Sequence, residues 1–162
     1  MCFANARLRH EIEMIETTSI MTFFEGDHLR LDQLFSDYLK WKSESHVKAI
    51  EYFERFKSGL QQHILWEEEI LFPIFQKKTD MDCPIQILKM EHRQIAFLLE
   101  ALHEKLQKAD RNAEIEEYRL LSLLGDHNLK EEMIVFPAIA ANVTELEVQQ
   151  IFEAMNRVPR AS

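Results

Sequence analysis

Thirteen residues from His63, "HILWEEEILFPIF", and thirteen from His127, "HNLKEEMIVFPAI", are identical at seven positions, 64 residues apart. The same shift lays His28 on His92 and Glu67 on Glu131. No other feature restricts the fold as strongly. Two copies of one supersecondary unit, neither able to bury its apolar face alone, have to pack on each other. Each copy brings a lone histidine and a His-x-x-x-Glu pair.

The unit is helical. Apolar residues recur at alternating three- and four-residue intervals, the spacing that places them on one helix face. Four long helices are expected, over about 26–42, 46–76, 84–109 and 112–141. Asp27 is read as the first N-cap, Pro84 as a first-turn proline, and Pro73 and Pro137 as perturbations of the second and fourth helices. "TELE" at Thr144 has the Thr/Glu pairing of a capping box and predicts a short fifth helix. With only three glycines and four prolines in 162 residues, 46% of them hydrophobic, the chain reads as one all-α domain over 21–158 behind an N-terminal arm, 1–20. "ARLRHEIEMIE" has the pattern for an amphipathic turn or two and "ETTSI" reads as a linker, so no structure is assigned to the arm.

The polar residues on the apolar seams carry the chemistry. The seams run Phe24, His28, Leu31, Phe35, Tyr38; then Phe53, Phe56, Leu60, His63, Glu67, Ile70, Ile74. The third has Ile85, Leu88, His92, Ile95, Leu99, and the fourth Leu120, Leu124, His127, Glu131, Ile134, Ala138. At about 1.5 Å of rise per residue, His28 and His63 return to one level across the first connection, and so do His92 and His127 across the third. Four imidazoles and two carboxylates then share one buried layer. An unpartnered buried carboxylate costs several kcal/mol or more, so the layer demands compensation. Two divalent or trivalent cations supply it, since neutral imidazole and carboxylate are ligands and a carboxylate can bridge two metals. Iron, manganese and zinc all suit this donor set.

Other groups are assigned lesser parts. His10, His46 and His103 are read as surface residues, and Tyr38 as a core tyrosine. Glu68 and Glu132 point about 100° away from the proposed ligands, toward solvent or toward a supporting role behind them. The pairs Phe72-Pro73 and Phe136-Pro137 serve packing and helix shape. The net charge of −9 repels nucleic acid and anionic membrane surfaces. Cys2 and Cys83 are too few for a disulfide framework. No stretch reads as a signal peptide or a membrane span, so a soluble, cytoplasmic protein is expected.

The motifs "GDHLRLDQLF", "HILWEEEILFP", "MEHRQIAFLL" and "HNLKEEMIVFP", spread over roughly 23–141, resemble the hemerythrin-like, HHE cation-binding family. The resemblance implies an up-down-up-down four-helix bundle holding two iron ions in a non-haem centre, joined by an oxo or hydroxo bridge. His28, His63, His92 and His127 would be terminal ligands, and Glu67 and Glu131 bridges. Oxygen-carrying members have a further histidine where this chain has Ala96, and a longer His-to-Asp spacing where it has His127 and Glu131. Four histidines with two glutamates are the set of the branch that includes nitrosative-stress and iron-centre repair proteins. The function implied is binding or processing of a small oxidant such as oxygen, nitric oxide or peroxide, in oxidative or nitrosative stress. An iron-responsive sensor module and an iron donor for damaged iron–sulfur centres are the alternatives.

Overall fold

The computed structural model describes residues 19–109 and 112–159. The arm up to residue 18, with His10, lies outside the described residues. Helix α1 spans Ile20–Glu44 and starts six residues before the sequence suggests. Ser19 caps it by accepting a hydrogen bond from the Thr22 N–H at 3.1 Å. Gly26-Asp27 looks like a helix entrance, but burial of Ile20 and Phe24 holds the additional turns in place. Asp27 is therefore a mid-helix residue, free to serve elsewhere.

Only Ser45 separates α1 from α2. Its extended backbone donates its N–H to the Trp41 carbonyl, and its side chain accepts from the Lys48 N–H, so one residue ends a helix and begins the next. Helix α2 is continuous over 46–79 but changes winding: His46–Trp66 is α-helical, Glu67–Leu71 is π-helical and Phe72–Thr79 is α-helical again. Asp80, in the left-handed conformation at φ 55°, ends it. Helix α3 spans Cys83–Gln107 with Pro84 in its first turn. Helix α4, over 114–142, repeats the winding of α2, with α-helical Glu114–Lys130, π-helical Glu131–Val135 and α-helical Phe136–Asn142. Helix α5, Glu145–Arg157, opens on the capping box foreseen at Thr144 and Glu147. Replacing Thr144 with alanine is expected to lower stability by about 1 kcal/mol, read as a shifted urea midpoint.

The two π turns correct the sequence reading of the seams. In each, the N–H five residues on, that of Phe72 or Phe136, bonds back to the carbonyl of Glu67 or Glu131. One extra residue in the turn rotates everything after it by about 100°. Leu71 and Phe75 consequently face the core instead of Ile70 and Ile74. On α4, Val135 and Ile139 replace Ile134, which is 43% exposed, and Ala138. Pro73 and Pro137 follow each π hydrogen bond by one residue and have no N–H to restore the tighter pattern. They neither end nor break the helices.

The four long helices form an antiparallel bundle, α1 packed along α2 and α3 along α4. The first pair approaches closely at Gly59, where a Cβ would lie 3.0 Å from Leu31 Cδ2 and 3.2 Å from Arg30 Nη1. The core is in two parts. One holds Phe35, Tyr38, Phe53, Phe56, Leu99 and Leu120. The other holds Phe24, Leu71, Phe72, Phe75, Val135 and Phe136, and α5 closes it with Ile151 and Met155. Trp66 Nε1–H donates to the Met155 carbonyl at 3.1 Å, and Phe23 meets Phe152 edge-on, tying α5 to the bundle. Between the two apolar clusters lies a polar layer.

Candidate metal centre

That layer consists of His28 from α1, His63 and Glu67 from α2, His92 from α3, and His127 and Glu131 from α4. All six are buried, none more than 4% exposed. They fall into two groups that share both glutamates. His28 Nε2 and His63 Nε2 are 3.1 Å apart, with Glu67 Oε1 3.1 Å from His63 and Glu131 Oε2 3.4 Å from His28. His92 Nε2 and His127 Nε2 are 3.0 Å apart, with Glu131 Oε1 3.0 Å from His127 and Glu67 Oε2 3.3 Å from His92. Each carboxylate therefore turns one oxygen to each group. In both groups the donor atoms lie within 4.8 Å of one another.

Which nitrogen faces inward is set from outside. His28 Nδ1 lies 2.8 Å from Glu132 Oε1, and His92 Nδ1 lies 2.7 Å from Glu68 Oε1. His63 Nδ1 lies 2.8 Å from Asp27 Oδ2, and His127 Nδ1 lies 3.0 Å from Glu91 Oε2. An ionised carboxylate only accepts, so each Nδ1 carries a proton, and in its neutral form each ring would turn an unprotonated Nε2 lone pair into the layer. Glu68 and Glu132 thus stand behind histidines of the opposite hairpin, the supporting role among the two readings of the sequence. Asp27 and Glu91 were missed in that role, although each directly precedes a seam histidine and the two are related by the 64-residue shift. Arg30 holds Asp27 at 2.7 Å and Lys130 holds Glu91 at 2.6 Å.

Aromatic rings shield the layer. Phe72 stacks on His92, centroids 5.5 Å apart and planes at 10°, and its repeat partner Phe136 lies 5.8 Å from His28. Phe24 meets His63 edge-on. The other two described histidines stay apart: His46 is exposed at the start of α2, and His103 pairs with Glu54 at 2.8 Å. Tyr38 is fully buried and donates its hydroxyl hydrogen to Glu117, which Lys42 also holds at 2.9 Å. It belongs to the core, as the sequence suggests.

Among the protein groups alone the layer is electrostatically unresolved. Burial, reinforced by the like charge of Glu67, pushes the Glu131 carboxyl up to about 8. Burial works against ionisation of Glu67 too, yet His63 and His92 hold it well below the usual carboxylate range. Burial opposes an imidazolium at His63, but Glu67 and Asp27 push its pKa up to about 10. Burial holds His127 down. None of the four oxygens of Glu67 and Glu131 accepts a well-formed hydrogen bond. In the protonation state that metal ligation requires, with every histidine neutral and every carboxyl ionised, the six carboxylates Asp27, Glu67, Glu68, Glu91, Glu131 and Glu132 against Arg30 and Lys130 would leave a net charge of −6 plus 2, or −4. Two divalent cations match that charge.

The residues fit such ions. Each group offers two imidazole nitrogens and two carboxylate oxygens, and metal coordination would satisfy the four oxygens that lack hydrogen bonds. If the outer carboxylates orient the rings, Asp27→Asn and Glu132→Gln should each weaken metal binding by roughly 10- to 100-fold while leaving the helical circular dichroism unchanged. Competition against a chromophoric chelator measures this. Among the described residues no helix is long and apolar enough to cross a membrane.

No curated protein and no solved structure matches the chain. A model of the hemerythrin HHE cation binding domain does match, over residues 19–139. That span takes in the three histidines and the glutamate of α1–α3, the His127/Glu131 pair of α4 and both π turns, and the chain therefore belongs to the hemerythrin HHE cation-binding family.

Proposed function

We propose that this protein holds two iron ions, with His28, His63, His92 and His127 as terminal ligands and Glu67 and Glu131 as bridges, and that it binds or processes a small oxidant. The carrying observation is the split of each glutamate between two histidine pairs, with four carboxylate oxygens otherwise unsatisfied. Bound iron would supply the one-electron chemistry that oxygen, nitric oxide or peroxide requires.

The chain's own residues do the rest. Asp27, Glu68, Glu91 and Glu132 hold the Nδ1 protons and fix ring orientation. Phe24, Phe72 and Phe136 keep bulk water from the layer. Each ion would be held by four protein donors, fewer than the six that iron commonly takes, and would supply the Lewis-acid and redox chemistry for a diatomic molecule or peroxide. Among the described residues neither Cys83 nor any serine belongs to the six-residue layer, so no described nucleophile stands beside it. The four-histidine, two-glutamate set favours a role in oxidative or nitrosative stress.

Protein purified without air should contain two irons per chain by elemental analysis. Stopped-flow mixing of the reduced form with oxygen or nitric oxide should generate new charge-transfer bands. Two irons with no spectral response to either gas, or to peroxide, would leave a cation-binding domain and remove the oxidant from the proposal.

A further inference from the structure

The 64-residue repeat is broken at the edges of the polar layer. Between α2 and α3 a groove of about 260 Å³ reaches the layer at His92. Ile64, Leu65, Ala96 and Leu99 give it apolar walls, and Glu68 and Arg93 are its charged members. The repeat lays Ala96 on Asp32, so the matching edge between α4 and α1 carries a carboxyl where this one carries a methyl group. There Asp32 interacts with the charges of His28 and Glu132.

The groove approaches His92 from the side that Phe72 leaves open. Helices α2 and α3 run antiparallel, so Ile64, one turn before Glu68, comes level with Ala96, one turn after His92. Phe72 follows Glu68 by one turn in the other direction and stacks on the ring there. Ala96 is exposed, and a side chain that ends at Cβ leaves the approach clear.

Building on the oxidant role proposed above, we infer that this groove is the entrance to the layer and that it selects a neutral diatomic gas, oxygen or nitric oxide, over peroxide. Such a gas gives up almost no hydrogen bonding when it leaves water. Each hydroxyl of hydrogen peroxide does, and apolar walls cannot replace what is lost. Apolar concavities take up small apolar guests, and the volume is ample against about 30 Å³ for a water molecule in the liquid. At the other edge the exposed Asp32 and the part-exposed Glu132 hold water instead.

The test uses the full-length chain loaded with zinc, which does not react with oxygen. Dissolved oxygen is paramagnetic and speeds the magnetic relaxation of protons it approaches. His92 and His28 are buried alike, 3% and 4% exposed, so exposure alone would relax their ring protons equally. Under oxygen pressure the His92 ring should instead relax faster than the His28 ring. Ala96→Trp, which fills the groove, and Ala96→Asp, which copies the other edge, should each abolish the difference. The methyls of Leu29, 70% exposed, should not change, and circular dichroism checks that the variants are folded. In iron-loaded protein Ala96→Trp should slow nitric oxide association about tenfold, a barrier increase of about 1.4 kcal/mol, with iron content and final band intensity unchanged. Peroxide should react at the parent rate, and an equal slowing of peroxide would overturn the selectivity. Equal relaxation of the two rings in the parent overturns the inference, and so does a parent-like nitric oxide rate in Ala96→Trp. Iron protein silent toward both gases would fail the oxidant role instead, and the zinc measurement still decides whether the groove admits gas.

Discussion

Glu67→Ala should empty both metal positions, whereas His28→Ala should chiefly weaken one. The difference follows from geometry: the two Glu67 oxygens face different histidine pairs, while the His28 Nε2 faces only one. Losing a bridging ligand should reduce affinity at both positions by more than the roughly 10- to 100-fold expected for an outer partner. Elemental analysis after dialysis against a weak chelator gives the readout, and Glu131→Ala should behave alike. Retention of one tightly held ion by both glutamate variants would show that the carboxylates do not bridge. The metal-free Glu67→Ala protein should be less stable than the metal-free parent at neutral pH, because the substitution removes the carboxylate that pairs with His63 and His92 and leaves a buried imidazolium without its partner.

Metal removal should soften the bundle. At a free-ion concentration a thousand times Kd, binding to the native state alone contributes about 4 kcal/mol per site. For a domain of this size that corresponds to roughly 10 °C in Tm. Stripping the ions leaves a charged layer between the two apolar clusters, where Glu67 and Glu131 lack hydrogen bonds. Calorimetry of the loaded and chelated protein should show the drop, and readdition of iron should reverse it. An unchanged Tm would mean that the layer is satisfied without cations and would count against metal binding as its role.

The periodicity of the seams made the helices legible, and the 64-residue repeat made their pairing legible. It also singled out the six residues that converge, because polar groups on an apolar stripe at matching levels have few places to go. The start of α1 was harder to see. Gly26 and Asp27 have the local chemistry of a helix entrance, and only burial of Ile20 and Phe24 beyond them shows that the helix has already begun. Glu91 drew no notice, since an exposed-looking glutamate beside a histidine is common.

By itself the sequence determined an all-helical chain with two equivalent hairpins and one polar level in its core, since spacing along a helix is a property of the chain alone. Tertiary structure decided what stands behind that level. Asp27 and Glu91 support histidines of their own hairpin, while Glu68 and Glu132 cross to the other. It also decided the winding after Glu67 and Glu131. A π turn substitutes one hydrogen bond for another at little local cost, so packing of Phe72 and Phe136 against the opposite hairpin's histidines selects it, and no periodicity within one helix can reveal that choice.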